Sequence, residues 1–159
     1  MKGVKKTNAA RILDGLGISY TLENYPVDPD DLSAVHVAEQ IGKPAQQIFK
    51  TLVCRGDKTG ILMACIPGDG ELDLKAAASL SGNKRVELVH LKEVQALTGY
   101  IRGGCSPLGA KKDYPVFIDE SARRWDEIAI SAGVRGEQIF LTPTDLETAT
   151  KGIFGKITR

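Results

Sequence analysis

The hydrophobic positions near the start of the chain follow two spacings, one typical of helices and one typical of strands. Residues 7–16 and 33–41 carry apolar side chains at helical spacing, and Ser33 and Gly42 suit the start and the end of the second segment. Residues 18–25 alternate between apolar and polar side chains, as a half-buried strand does. The pattern therefore predicts a helix, a strand and a second helix in this order.

A more apolar strand follows at residues 47–54, and it contains a single lysine. Successive side chains of a strand point to opposite faces, so Lys50 shares its face with Ile48 and Leu52. The turn-rich residues after this strand lead into the apolar residues 61–66, which predicts a β-hairpin.

The rest of the chain predicts short elements separated by Gly and Pro. They are a helix over 73–80, a strand over 85–89, a helix over 92–97, strands over 116–119, 127–131 and 138–141, and a last helix over 145–150 capped by Thr144. Several connections are too short for parallel crossovers. The sequence thus predicts one α/β domain over residues 1–159, with mixed but mainly antiparallel strands.

Composition narrows the class of protein. The chain has 42% hydrophobic and 26% charged residues and a formal net charge of +1, so any nucleic-acid contact must come from a local patch. The basic residues at the start precede no apolar run, and the longest apolar stretch is too short for a membrane span. Three cysteines without CxxC spacing indicate reduced thiols. We expect a cytoplasmic protein without a membrane segment.

Lys50 is the first candidate for chemistry. An ammonium in an apolar setting loses hydration, so it needs a partner or its pKa falls. A lysine held in this way can polarise a substrate. The alternative is a strand lysine whose ammonium reaches water. The strand alone leaves both interpretations open.

The second candidate is the glycine-rich segment at residues 103–109, which contains three glycines and one proline. Such a backbone can present consecutive N–H groups to a carboxylate, a phosphate or a developing oxyanion. Arg102, Lys111 and Lys112 flank it and are suited to phosphate groups. A surface loop with a solvated basic end is the alternative.

The usual hydrolytic residues and metal ligands have no recognisable pattern. His36 and His90 lie in no metal-binding motif, and we expect neither a metal site nor a cofactor. Cys105 has no neighbouring feature that would lower the pKa of its thiol, which argues against a nucleophile or a redox sensor. The sequence therefore predicts no attacking side chain.

Four motifs, taken in order, resemble one family. They are Phe-Lys-Thr-Leu at 49–52, Gly-Tyr-Ile-Arg-Gly-Gly-Cys-Ser-Pro-Leu-Gly at 99–109, Ser-Ala-Gly-Val-Arg-Gly at 131–136 and Leu-Thr-Pro-Thr-Asp-Leu at 141–146. Their order and spacing resemble the YbaK/EbsC family of prolyl-tRNA editing proteins, and within it the Cys-tRNA(Pro) deacylases.

The resemblance implies a YbaK-type fold, a mixed and mainly antiparallel curved sheet or barrel with flanking helices. It implies that Lys50 contacts the terminal adenosine or the ester, and that Gly103 and Gly104 supply main-chain donors. The implied substrate-binding residues are Tyr25, Tyr20, Phe49, Ser106, Ser131, Gly133 and Asp145. Tyr20 and Tyr25 compete for one position, and Asp145 is assigned to the substrate amine.

The resemblance also implies an enzyme, an aminoacyl-tRNA deacylase that removes cysteine from Cys-tRNA(Pro). In such relatives the substrate thiol is thought to attack its own ester, so the protein needs no nucleophile. The expected partner is the 3′ end of mischarged tRNA, with prolyl-tRNA synthetase as a candidate protein partner and a monomer as the expected state. The alternatives are hydrolysis of Ala-tRNA(Pro) or of a broader set of aminoacyl-tRNAs, and a non-catalytic module that binds amino acids or nucleotides.

Overall fold

A computed structural model of the chain describes residues 6–159. Within this range the chain forms five α-helices: α1 (Asn8–Gly15), α2 (Ala34–Ile41), α3 (Leu74–Ser81), α4 (Leu91–Thr98) and α5 (Pro143–Thr150). The capping residues explain several of these limits. Ser33 and Asp73 each accept a hydrogen bond from a main-chain N–H in the first turn of the helix that follows. Gly42 and Gly82 end the same two helices in the left-handed conformation.

Helix α5 begins earlier than the sequence predicted. Its cap is Thr142, whose hydroxyl accepts a hydrogen bond from the Asp145 N–H, so the prediction of Thr144 as the cap was wrong. Pro143 occupies the first turn. An N–H at this position would have no acceptor within the helix, so its absence costs nothing, and the fixed φ of proline suits the helix.

Eight strands form two sheets within the described range. They are β1 (Thr21–Asn24), β2 (Phe49–Gly56), β3 (Gly60–Pro67), β4 (Val86–Leu88), β5 (Val116–Asp119), β6 (Ile128–Ser131), β7 (Glu137–Leu141) and β8 (Ile153–Gly155). The larger sheet has the order β4-β2-β3-β5-β8, and the smaller one has the order β1-β7-β6. Strand β8, with three residues, was missed in the sequence.

Strand directions confirm the predicted mixed α/β class. Strands β2 and β3 form the expected antiparallel hairpin, β4 is antiparallel to β2, and the smaller sheet is antiparallel throughout. Strand β5 runs parallel to both β3 and β8. A single parallel bridge between Ile48 and Ala129 connects the two sheets, and it brings the start of β2 beside β6.

The core consists of three clusters of buried side chains. The largest lies between α1 and the two sheets and includes Phe49, Val53 and Ile130. The second packs α3 against the other face of the larger sheet. The third packs Val37 and Ala38 of α2 against Ile48, Ala129 and Phe140. This third cluster fixes the outer face of β6 and β7 beneath α2.

Candidate functional site

An open cavity of about 560 Å³ lies where the two sheets meet. Six parts of the chain form its walls: the segment before α2 with the start of that helix, the first half of β2, the turn at Gly68, the residues around α4, the glycine-rich loop and the ends of β6 and β7. The lining residues that bear on chemistry are Asp30, Asp31, Phe49, Lys50, Arg102, Gly103, Cys105, Ser131 and Gln138. Lys50 and the glycine-rich loop, far apart in the sequence, therefore border one space.

Lys50 lies in this wall half-buried. Its Nζ donates a hydrogen bond to the Gly68 carbonyl at 3.1 Å. Burial lowers the pKa of the ammonium below its usual value, and the charges of Asp69 and Glu71 partly offset this. An ammonium has three N–H donors, so two stay available to a bound molecule after the bond to Gly68.

Ser131 and Gln138 are opposite each other in the antiparallel pair of β6 and β7. Both side chains are buried and line the cavity. The Ser131 hydroxyl accepts a hydrogen bond from the Gly133 N–H at 3.1 Å. The Gln138 Oε1 makes no hydrogen bond to any described residue, which is unusual for a buried acceptor.

Gln138 is the residue that sequence reasoning missed. A glutamine inside a strand pattern is read as a solvent-facing position, and its exposed fraction is only 5%. Gln138 directly precedes three apolar residues, 139–141, and its position opposite Ser131 depends on the pairing of β6 with β7, so no local pattern in the sequence signals it.

The main-chain N–H groups of Gly103 and Cys105 are the candidate donors of the glycine-rich loop. Both residues line the cavity, and among residues 6–159 neither N–H donates to a protein acceptor. Gly103 adopts φ +82°, and an added Cβ would lie 3.3 Å from the Leu32 side chain. The loop is also held from behind, because the Arg135 Nε donates to the Arg102 carbonyl at 2.7 Å.

Gly104 differs from the sequence expectation of a second donor. Its N–H donates to the Ile101 carbonyl at 2.9 Å, and it is not among the lining residues. An N–H that already closes a turn is not free to stabilise an oxyanion. Gly104 instead permits close packing, since an added Cβ would lie 3.3 Å from the backbone of Val134 and Arg135.

The thiol of Cys105 also borders the cavity. Burial raises its pKa to about 11. The thiol is therefore protonated near neutral pH, and a protonated thiol is a poor nucleophile. Cys54 and Cys65 are buried in strands, and burial raises the pKa of each to about 12.

The two competing tyrosines lie on opposite faces of the smaller sheet. Tyr25 packs against the third core cluster, on the face that carries Ser131 and Gln138, although it does not line the cavity. Tyr20 packs against the largest cluster, and its hydroxyl donates to Asp14 at 2.9 Å. Only Tyr25 is thus on the side of the cavity.

Ser106, Gly133 and Asp145 lie outside the cavity lining. The fully buried Ser106 accepts a hydrogen bond from the Leu108 N–H at 3.2 Å, so it shapes the loop. Gly133 packs against the Tyr100 ring, which an added Cβ would approach to 3.0 Å. Asp145 is in the first turn of α5, where a carboxylate suits the helix dipole.

Charged groups near the cavity are few. Asp30, Asp31 and Arg102, all exposed, line it, and the Asp31 carboxylate accepts hydrogen bonds from the N–H and hydroxyl of Ser33. Across residues 6–159, no group of three or more His, Cys, Asp or Glu side chains is arranged to hold a metal ion. None of the helices in this range has the length and apolar character needed to cross a bilayer.

Comparison with known proteins shows which family the sequence of this chain matches. A family model described as "Aminoacyl-tRNA editing domain" matches residues 28–149. The Enterococcus faecalis protein "Putative Cys-tRNA(Pro)/Cys-tRNA(Cys) deacylase EbsC" is 48% identical over 157 residues, which cover 99% of this chain and 96% of the relative. The Escherichia coli K12 protein "Multifunctional Ser/Thr-tRNA deacylase ProXp-y" is 31% identical over 69% of this chain and 68% of its own length.

Solved structures share the fold over nearly the whole chain. A crystal structure described as "a putative trans-editing enzyme for prolyl tRNA synthetase" superposes with a TM-score of 0.83 at 26% sequence identity. The match covers 98% of this chain and 99% of the other one. The likeness therefore includes both sheets.

Proposed function

Because this chain belongs to the aminoacyl-tRNA editing domain family, whose members include trans-editing deacylases, we propose that it removes cysteine from mischarged Cys-tRNA(Pro). One observation carries the proposal. The cavity combines an amine and unengaged main-chain N–H groups with a protein thiol whose pKa is raised to about 11. Such a site can hold and polarise an ester, and it leaves the attack to the substrate.

In the proposed complex, Lys50 binds the ribose end of the aminoacyl ester. The Gly68 carbonyl holds its ammonium in place, so the two other N–H groups are available to the substrate at a fixed position. A Lys ammonium is a compact charge that binds the oxygens of a ribose or a phosphate. The Gln138 amide, turned toward the cavity, accepts a hydrogen bond from the substrate α-ammonium and so satisfies its free Oε1.

The proposed reaction is substrate-assisted. The cysteinyl sulfur attacks the carbonyl carbon of its own ester, and a C–S bond forms while the ester C–O bond breaks. The thiol proton ends on the released ribose hydroxyl, and the product is a cyclic thiolactone. The N–H groups of Gly103 and Cys105 stabilise the oxyanion that develops on the carbonyl oxygen.

Positioning supplies most of the acceleration in this scheme. Holding two reacting groups in an attacking geometry lowers a barrier by about 7–11 kcal/mol in favourable cases. One preorganised oxyanion donor contributes about 3–4 kcal/mol. These effects need a shaped cavity and fixed donors, and both come from the described loop and strands.

The need for such an enzyme follows from the limits of size selection. A pocket sized for proline rejects a slightly smaller apolar side chain only by about 10- to 200-fold. A second site that destroys the wrong product is then required. The near-neutral charge of this chain indicates that it contacts mainly the tRNA 3′ end, and we propose that prolyl-tRNA synthetase supplies the remaining tRNA affinity.

The decisive experiment is a deacylation assay with a panel of tRNA(Pro) charged with Cys, Ala, Ser or Pro. We expect rapid loss of Cys and recovery of the thiolactone rather than free cysteine. Lys75, exposed on α3 and away from the cavity, provides a matched control lysine: Lys75→Ala retains activity and Lys50→Ala loses it. Saturable binding of Cys-tRNA(Pro) that leaves the cysteinyl ester intact would overturn the proposal in favour of a binding module.

A second candidate function is supported by the Escherichia coli relative, whose name describes a multifunctional Ser/Thr-tRNA deacylase. In this alternative the site holds a water molecule in place of the substrate thiol and hydrolyses several aminoacyl-tRNAs, including Ala-tRNA(Pro). Release of free serine or alanine at rates close to that of cysteine would favour it.

A further inference from the structure

A second cavity of about 600 Å³ opens beside the first. Its lining is polar and aromatic: Gln46, Pro67, Asp69, Gly70, Ser121, Arg124, Trp125, Thr158 and Arg159. None of the residues expected from the sequence to bind the substrate lies there. The long aliphatic side chains typical of a pocket for an apolar ligand are also missing from this lining.

We propose that this second cavity binds the unpaired nucleotides that precede the terminal aminoacyl adenosine of the tRNA. The proposal rests on the function proposed above, because it requires the ester to occupy the first cavity. The class of ligand is single-stranded RNA, held by base stacking and by contacts to phosphate.

The position of the second cavity supports this ligand. The turn at residues 67–70 contributes residues to both cavities. Gly68 lines the first cavity and accepts the Lys50 hydrogen bond, whereas Pro67, Asp69 and Gly70 line the second. An RNA strand whose last ribose is held by Lys50 therefore meets the second cavity as its next neighbour.

The chemistry of the lining also fits. Trp125 is half-buried, since one side packs against the main core, and the side chain borders the cavity. Unpaired bases stack on such aromatic side chains, and sequence-tolerant stacking is typical of single-strand binding. Arg124 is exposed beside it and can donate to a phosphate through its planar guanidinium.

The remaining charges of the lining are already paired in part. Asp69 accepts a hydrogen bond from the Gln46 amide at 2.7 Å. Arg159 lies 3.8 Å from Glu71, an exposed and therefore weak ion pair that a phosphate can replace. Its neighbour Thr158 is anchored by hydrogen bonds to Asp119. Arg124 and Arg159 thus outnumber the one carboxylate of the lining.

The chain contains a single tryptophan, so its tryptophan emission comes from a residue that lines this cavity. The first experiment titrates the protein with an uncharged RNA trinucleotide, cytidine-cytidine-adenosine, and with adenosine as the comparison. We expect the trinucleotide to change the Trp125 emission and adenosine to leave it unchanged. Arg124→Gln is expected to weaken trinucleotide binding about tenfold and to lower the salt slope of log affinity by about 0.7. The control Arg11→Gln, on the exposed face of α1, retains the wild-type affinity.

The second experiment compares substrates of two lengths, cysteinyl-adenosine and a cysteinylated minihelix with the full 3′ end. Trp125→Leu, which keeps apolar volume but lacks a stacking face, is expected to lower kcat/KM on the minihelix about 5- to 100-fold. It should leave kcat/KM on cysteinyl-adenosine unchanged, which also shows that the variant is folded.

The two experiments separate the possible failures. If neither substrate is deacylated but the trinucleotide still changes the fluorescence, the proposed deacylation fails and the nucleotide site stands. If both substrates are deacylated and the trinucleotide leaves the emission unchanged, the nucleotide site is wrong. Equal loss on both substrates in Trp125→Leu would also overturn it, because the residue would then act through the fold.

Discussion

Replacement of Lys50 is the sharpest test of the site. In the wild-type protein its ammonium donates one hydrogen bond to Gly68 and has two N–H groups left for the substrate. A hydrogen bond that involves a charged group contributes about 1.5–3 kcal/mol, so losing two raises the barrier by about 3–6 kcal/mol. We therefore expect Lys50→Met to lower kcat/KM on Cys-tRNA(Pro) about 10²- to 10⁴-fold.

The same substitution should change the free energy of unfolding little. Methionine keeps most of the side-chain volume. The lost hydrogen bond to Gly68, about 1.5–3 kcal/mol for a charged donor, is offset in part because removal of a half-buried charge relieves desolvation. Urea unfolding measures the stability, and single-turnover deacylation with excess enzyme measures the chemical step. Wild-type kcat/KM in a folded Lys50→Met variant would refute the proposed role of the ammonium. A loss of activity that merely follows a loss of stability would refute it equally.

The other predictions concern the remaining groups of the cavity. Gln138→Leu removes a buried acceptor without a partner, so we expect unchanged or higher stability in urea unfolding but at least tenfold lower kcat/KM; retained kcat/KM would contradict its role. Cys105→Ala should deacylate within about twofold of wild type, because its thiol is protonated, and a loss of the chemical step would instead identify a protein nucleophile. Gly103→Ala forces φ +82° on a residue with a Cβ, so we expect the free energy of unfolding to fall by about 1 kcal/mol, seen as a lower melting temperature, together with a slower chemical step. Finally, burial lowers the pKa of Lys50 from 10.5, so the activity should fall as pH rises through a value below 10.5, and Lys50→Met should lack this alkaline fall in a pH–rate profile.

Local patterns were sufficient for most elements of the fold. The start of α2 at Ser33 and its end at Gly42 could be predicted, because helix capping depends on residues that are close together in the chain. The hairpin of β2 and β3 was likewise readable from a turn between two apolar runs. Strand β8 was not, because three residues carry little periodicity and its parallel pairing with β5 is a long-range contact.

The candidate site was predictable only in part, for a related reason. Lys50 is conspicuous as a charge within an apolar strand, and Gly103 is conspicuous within a glycine-rich run. Gln138 depends on a partner strand and on the absence of a hydrogen-bonding neighbour among the described residues, which no local pattern encodes. The engagement of the Gly104 N–H could not be predicted, because its acceptor, the Ile101 carbonyl, is fixed by the conformation of the loop rather than by residue type.

The bridge between Ile48 and Ala129 restricts where this protein can be lengthened. Lys50 and Ser131 each lie two residues after a bridging residue, and the two chain segments run in the same direction. The two residues are therefore level with each other along the segments, one in each sheet. One inserted residue after either bridging position would turn the following side chain to the reverse face. Engineered loops or fusion points therefore belong in the turn between β2 and β3, where added length leaves this alignment intact.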